Sequence, residues 1–365
     1  MLKEILKQSG EIYKMNSMKE RYIATLVGCA LGDTLGMPVE GWKREQIKKY
    51  VGEIKKPIEP VKVFDEDGNL IKEDEFGKLK YYLKGLSKGD YTDDTALTLA
   101  LAESIVETGR INIVDIARKH IKEYDSCLEK SVVKGFGCTT KDAINNLKSG
   151  ISPLESGVIG GPGNGPAMKM SPIGLFMDVT GLYDYGMHFA ELVSKMTHLD
   201  TRSIASGVMQ AHSIFALLQD IQRDNFVDML PKVCLKYEKP LRKEFKGYHM
   251  GDLTSRLIWV RDNKDVSCDE AHNYLGSSSN VLSSYPFTLF MFQKFWNDPI
   301  TGLIETVNYG GDCDTTGAIY GALCGAKNGM IFPEEWVKEL KEFERLKAVA
   351  EKLYSLEQRK EYLKV

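Results

Sequence analysis

The chain has 365 residues, 43% hydrophobic and 27% charged, the balance of an ordinary folded protein with length for one large core or two moderate ones. A net charge of −3 and a pI of about 6.2 argue against a broad basic surface, so nucleic acid is not expected as a partner. Charges alternate through the N-terminal segment with no continuous apolar stretch of the secretory kind, and no unbroken run of about 20 apolar residues suits a membrane partner.

Taken in chain order, residues 1–17 read as an extension, an amphipathic helix or tail, ahead of a main unit at 18–365. A helix is predicted over Tyr22–Leu31, where Tyr22, Leu26, Ala30 and Ile23, Val27, Leu31 form two adjacent rows at i,i+4. It is expected to end at Gly32, with a loop carrying Asp33, as a turn cap, and Glu40. Residues 53–90 are charged and rich in Pro and Gly, and their alternation breaks at Asp67-Gly68-Asn69. Such residues tolerate positive φ, so the segment reads as a surface insertion bearing a short hairpin. From Asp93 the helical pattern resumes through Leu97, Leu101 and Ile105 to a stop at Gly109. Further helices are predicted at Ile113–Tyr124, Lys141–Leu147, Tyr185–Met196, Arg202–Leu218, Val281–Trp296, Pro299–Val307 and Thr315–Ala326. The last carries Gly317, Gly321 and Gly325 on one face. Each internal Gly costs a helix about 1 kcal/mol relative to Ala, so the stripe predicts a buried helix closely approached by its neighbours.

Two short segments concentrate the chemistry. Tyr91-Thr92-Asp93-Asp94-Thr95 and Gly310 to Gly317 (Gly-Gly-Asp-Cys-Asp-Thr-Thr-Gly) each set two carboxylates and a hydroxyl in a turn leading into an apolar helix. Thr92 and Asp314 stand where an N-cap would, but capping accounts for one residue per turn. It leaves Asp93 beside Asp94, and Asp312 beside Asp314, unexplained, since adjacent carboxylates repel unless a cation, solvent or a shared proton screens them. Hard cations such as Mg²⁺ favour oxygen ligands, often in pairs about 3.5–4 Å apart. Glu40 alone reads as a solvated turn residue. Gly160–Pro166 is too Gly-rich for helix or strand, and reads either as a plain loop or as a nest of backbone amides for an anion. His198, between two helices, is either structural or a partner for a phosphate or ribose oxygen. The seven cysteines form no CxxC pair and read as reduced thiols of a cytoplasmic protein, not as a disulfide frame or zinc site.

In their order along the chain, ATLVGCALGDTLGMPVEGW, GDYTDDTALTLALAES, GPGNGPAMKMSPIGL, THLDTRSIASG and VNYGGDCDTTGAIYGALCGA resemble the ADP-ribosylglycohydrolase family, which includes the hydrolase that reactivates dinitrogen reductase. The resemblance spans roughly Arg21 to Asn328. It implies an all-α, compact orthogonal helical domain with two bound Mg²⁺, Mn²⁺ serving in some relatives. Thr92, Asp93 and Asp94 match one ligand set, and Asp312, Asp314 and Thr315 the other. Glu40 matches an acidic residue that acts beside the metals in some members, so Glu40 or Asp312 is the candidate for catalytic proton transfer. Gly163, Asn164 and Gly165 fall on the loop that holds the ADP-ribose phosphates, and His198 lines the substrate groove. The implied reaction is hydrolysis of ADP-ribose from a modified side chain, arginine favoured, or from a small acceptor. A non-catalytic ADP-ribose-binding module and a metal-dependent phosphoester hydrolase are the alternatives. Two departures stand out. Lys169 replaces the Arg common after Met168, a point charge for a bidentate phosphate donor, and GSSSN precedes the helix at Val281 where relatives often show Gly-Tyr.

Overall fold

The computed structural model describes residues 17–62, 85–238 and 251–356. Their helices are α1 (Met18–Gly36), α2 (Arg44–Tyr50), α3 (Asp93–Thr108), α4 (Ile113–Glu129), α5 (Cys138–Lys148), α6 (Gly165–Lys169), α7 (Ser171–Thr180), α8 (Tyr183–Lys195) and α9 (Thr201–Leu218). The chain continues through α10 (Arg223–Tyr237), α11 (Leu253–Asp262), α12 (Cys268–Leu275), α13 (Val281–Lys294), α14 (Pro299–Asn308), α15 (Cys313–Asn328), α16 (Glu334–Glu339) and α17 (Phe343–Tyr354). Among the described residues the only β structure is three isolated bridges, Lys43 with Gly310, Val158 with His198 and Gly163 with Asn280. The fold is all-α, as expected. The hairpin expected at Asp67-Gly68-Asn69 and the extension at 1–16 lie outside the described residues.

The centre of the molecule is the pair α1 and α15. Ser17 starts α1 with a reciprocal cap, accepting from Glu20 N at 3.2 Å while Glu20 accepts from Ser17 N at 2.8 Å. The helix then runs through Gly32, where the sequence predicts a stop, to Gly36. Packing explains the difference. Gly28 and Gly32 face Gly321 and Gly317 so closely that a Cβ on Gly32 would lie 1.9 Å from Gly317 O, and one on Gly321 1.9 Å from Gly28 O, while Gly36 meets the Cys313 backbone and Gly325 that of Ala24. Glycine here is a contact surface, and the helix continues because its partner backbone occupies the space a side chain would take. Met18–Val39 is apolar enough by length and composition to cross a membrane, yet its most apolar window is wholly buried inside the protein.

Helices α3, α9, α13, α14 and α17 pack around this pair, and one apolar cluster runs through them all. A smaller cluster of Leu97, Cys127, Phe136, Ile144 and Met168 lies where α3, α4, α5 and α6 meet. All seven cysteines are unpaired. The helix expected at Ile113–Tyr124 extends to Glu129, and Gly165 opens α6 instead of continuing the Gly-rich loop, with Pro166 in its first turn, where a missing N–H costs nothing.

Candidate active site

The N-termini of α3 and α15 point into one cavity of about 460 Å³. Its walls include Glu40, Asp93, Asp94, Asn164, His198, Asp312, Asp314 and Thr315, together with Gly163 and Gly165. Of the residues given a metal, catalytic or substrate-binding role by the resemblance, Thr92 alone does not line it. Thr92 is instead the N-cap of α3, accepting from Asp94 N at 3.4 Å and donating its hydroxyl to Asp94 Oδ2 at 3.1 Å.

Asp33 anchors this turn from across the core. It sits within α1, not in a loop, and the helix end it satisfies belongs to α3, not to the next turn. Its carboxylate accepts from Thr92 N at 2.9 Å, Thr95 N at 3.1 Å and the Thr95 hydroxyl at 2.6 Å. Those donors are among the orphan N–H groups of a helix start, which leaves the carboxylates of Asp93 and Asp94 for other partners.

The second turn is built on left-handed glycines. Gly310 and Gly311 have φ of 73° and 72°, and neither has room for a Cβ, which would lie 2.2 Å from Trp42 O and 2.4 Å from Ser277 O respectively. Gly311 exchanges two 2.7 Å backbone bonds with Trp42 and Gly41, and Asp312 N donates to Ser277 O at 2.7 Å. This pairing brings Glu40, just after a short 3-10 turn, against the start of α15. Oxygens of Glu40, Asp312 and Asp314 lie within 4.8 Å of one another. The cap position of α15 is Asp312, not Asp314, and its side chain makes no capping bond. Asn164 Nδ2 instead donates to Asp312 Oδ2 at 2.5 Å.

The electrostatics follow from burying so many carboxylates together. Burial, then the charges of Asp33 and Asp312, pushes Asp93 up to about 8. Asp94 is driven well above the carboxylate range by burial and by Asp33, Asp93 and Asp312, and Asp314 by burial, Glu40, Asp312 and Asp94. Asp94 Oδ1 and Asp314 Oδ1 are buried with no hydrogen-bond partner in the described structure. Unclaimed carboxylate oxygens on both helix starts, facing repelling neighbours, are the donor set a hard divalent cation takes. The residues present fit such an ion.

The Gly-rich loop closes the cavity on another side. Gly163 pairs with Asn280, Asn164 N donates to Ser279 O at 3.2 Å, and Val281 N donates to Pro162 O at 2.7 Å. His198 packs under this loop. Lys169 does not reach the cavity as a phosphate donor; it is fully buried and its ammonium donates to the Thr197 hydroxyl at 3.1 Å. The sequence reading missed the wall from Gly135 to Thr140 and the side chain of Met168. Gly135-Phe136-Gly137 ahead of α5 was the available signal, too short to distinguish from an ordinary turn. Ser278 and Ser279 line the cavity, in line with the departure noted at GSSSN.

The family model for ADP-ribosylglycohydrolase matches residues 14–362. The chain belongs to the ADP-ribosylglycohydrolase family. It is 30% identical over 346 residues to an uncharacterized protein of Archaeoglobus fulgidus, covering 94% of this chain and 98% of that one. Mouse ADP-ribosylhydrolase ARH3 is 26% identical, over 72% of this chain and 76% of its own. A solved ADP-ribosylglycohydrolase-related protein complex superposes with a TM-score of 0.65 at 22% identity, covering 93% of this chain and 99% of that chain, a likeness in fold. The ADP-ribosylglycohydrolase family assignment thus covers both acidic turns, the Gly-rich loop and His198.

Proposed function

We propose that this protein hydrolyses the glycosidic bond between ADP-ribose and a protein side chain, arginine first, or a small acceptor, releasing ADP-ribose. The observation that carries this reading is the convergence of Glu40 and two pairs of aspartates opposite the Gly163–Gly165 loop, in a chain of this family. Thr92, Asp93 and Asp94 from one helix start, and Asp312, Asp314 and Thr315 from the other, would hold two Mg²⁺, with Mn²⁺ able to substitute. Such ions supply Lewis acidity toward the ribose hydroxyls and the attacking water.

The chain's own residues do the rest. The Gly163–Gly165 loop and the side chain of His198 bind the diphosphate and ribose oxygens and set the anomeric carbon toward the carboxylates. Bond cleavage builds positive charge on the ribose ring, which the surrounding carboxylates stabilise. A carboxylate takes the proton of the attacking water and returns one to the leaving group. Asn164 already donates to Asp312, which occupies that oxygen and favours Glu40 for proton transfer. Glu40→Gln should therefore slow single-turnover release of ADP-ribose from an arginine-modified peptide by about a hundredfold or more, the ordinary share of general acid–base catalysis. ADP-ribose affinity should be little changed. An unchanged rate transfers the role to Asp312.

A further inference from the structure

We infer that Lys169, acting through the Thr197 hydroxyl, fixes His198 in the tautomer that carries its proton on Nε2, so that the wall beneath Gly163–Gly165 presents a neutral N–H donor to a ligand oxygen. The inference rests on the proposed function for the identity of that ligand, and on hydrogen-bond geometry for the tautomer.

Lys169 is fully buried between α6 and the segment that follows α8. Its ammonium has donors and no acceptor, so at 3.1 Å it occupies one lone pair of Thr197 Oγ1. The hydroxyl proton then has two acceptors within reach. Ser194 O lies at 3.4 Å and already accepts the backbone N–H groups of Thr197 at 3.2 Å and His198 at 3.0 Å. His198 Nδ1 lies at 2.9 Å. The shorter contact and the unclaimed lone pair direct the proton to Nδ1, which makes Nδ1 an acceptor and leaves the ring hydrogen on Nε2.

Nε2 has no protein partner among the described residues, and the ring lies on the cavity wall. The two glycines above it are part of the same arrangement, since a Cβ on Gly163 or Gly165 would come within 3.1 Å and 3.2 Å of Nε2. Burial and the neighbouring Lys169 charge hold the imidazole down at about 3, so the ring stays neutral. A neutral donor favours an oxygen acceptor, phosphate or ribose hydroxyl, with no change of charge as ligand binds. Lys169 is thus a positioning residue, where its place after Met168 suggested a ligand contact.

The test is ¹⁵N NMR of histidine-labelled full-length protein, with the His198 signals assigned by their loss in His198→Asn, alongside calorimetric titration with ADP-ribose. Wild type should show Nε2 protonated and Nδ1 bare. Lys169→Met should give averaged ring shifts and about tenfold weaker ADP-ribose binding, the worth of one hydrogen bond. Lys169→Arg should restore both, and Thr197→Ser, which keeps the hydroxyl, should match wild type even if Lys169→Met does not fold. A proton on Nδ1 in wild type overturns the inference, as does Lys169→Met with unaltered ring shifts, which would make the lysine a mere counter-charge for Asp93. Wild type with the expected ring pattern and no ADP-ribose binding would overturn the functional reading and leave the tautomer assignment standing.

Discussion

Asp33 touches no part of the cavity, yet the position of both cavity-lining aspartates on α3 depends on it. Its carboxylate satisfies Thr92 N and Thr95 N at a helix start that is otherwise buried. Asp33→Ala should strand those two donors and cost about 2–6 kcal/mol in chemical unfolding, since each buried unpaired donor costs about 1–3 kcal/mol. Turnover should fall with it, because Asp93 and Asp94 lose their fixed backbone. His212 makes a separate, pH-dependent contribution. Burial, then Lys236, lowers it from 6.5 to about 4, and its Nδ1 lies 2.9 Å from the Tyr183 hydroxyl. The unfolded chain binds that proton first, so the stabilisation is whole above 6.5 and is lost as pH falls through 4. Unfolding followed from neutral pH downward should show wild type losing up to about 3 kcal/mol more than His212→Phe, at 1.4 kcal/mol per pKa unit. Parallel slopes would exclude this role for His212.

At the scale of elements, the crossing of α1 and α15 carries both the fold and the site, because Asp33 and Asp314 ride on helices whose backbones touch. Gly321→Ala would place a methyl 1.9 Å from Gly28 O, a backbone atom with nowhere to go. We expect loss of more than about 3 kcal/mol or no soluble protein, beyond ordinary overpacking of about 1–3 kcal/mol. Gly109→Ala is the control: φ there is 69° with nothing nearby, so the left-handed cost of about 1–2 kcal/mol stands alone. Half of this crossing was legible in the sequence. The Gly317, Gly321, Gly325 stripe announces close approach, but Gly32 reads as a helix end, because local propensity carries no information about the partner backbone. The acidic turns were legible because adjacent carboxylates have few structural uses. Lys169 was misread for the converse reason: a lysine at a binding motif looks like a ligand contact, and only the packing shows it buried under Thr197. The wall at Gly135–Thr140 offered no charge or spacing to notice.

For the molecule as a whole, the account is that α1, α3 and α15 bring two acidic turns together across the core, and that the self-repelling carboxylates so assembled are matched to divalent cations. Asp94 Oδ1 and Asp314 Oδ1, one from each turn, are the oxygens left unclaimed. The most direct measurement is release of ADP-ribose from arginine- and serine-modified peptides with Mg²⁺, with Mn²⁺ and with excess chelator, for wild type, Asp94→Ala and Asp314→Ala. The account predicts metal-dependent release by wild type from at least one linkage, abolished by the chelator and reduced at least about a hundredfold in either folded variant, since removing a fixed electrostatic contact alone costs about 10²–10³. Full release in the presence of chelator, or by either variant, would contradict it.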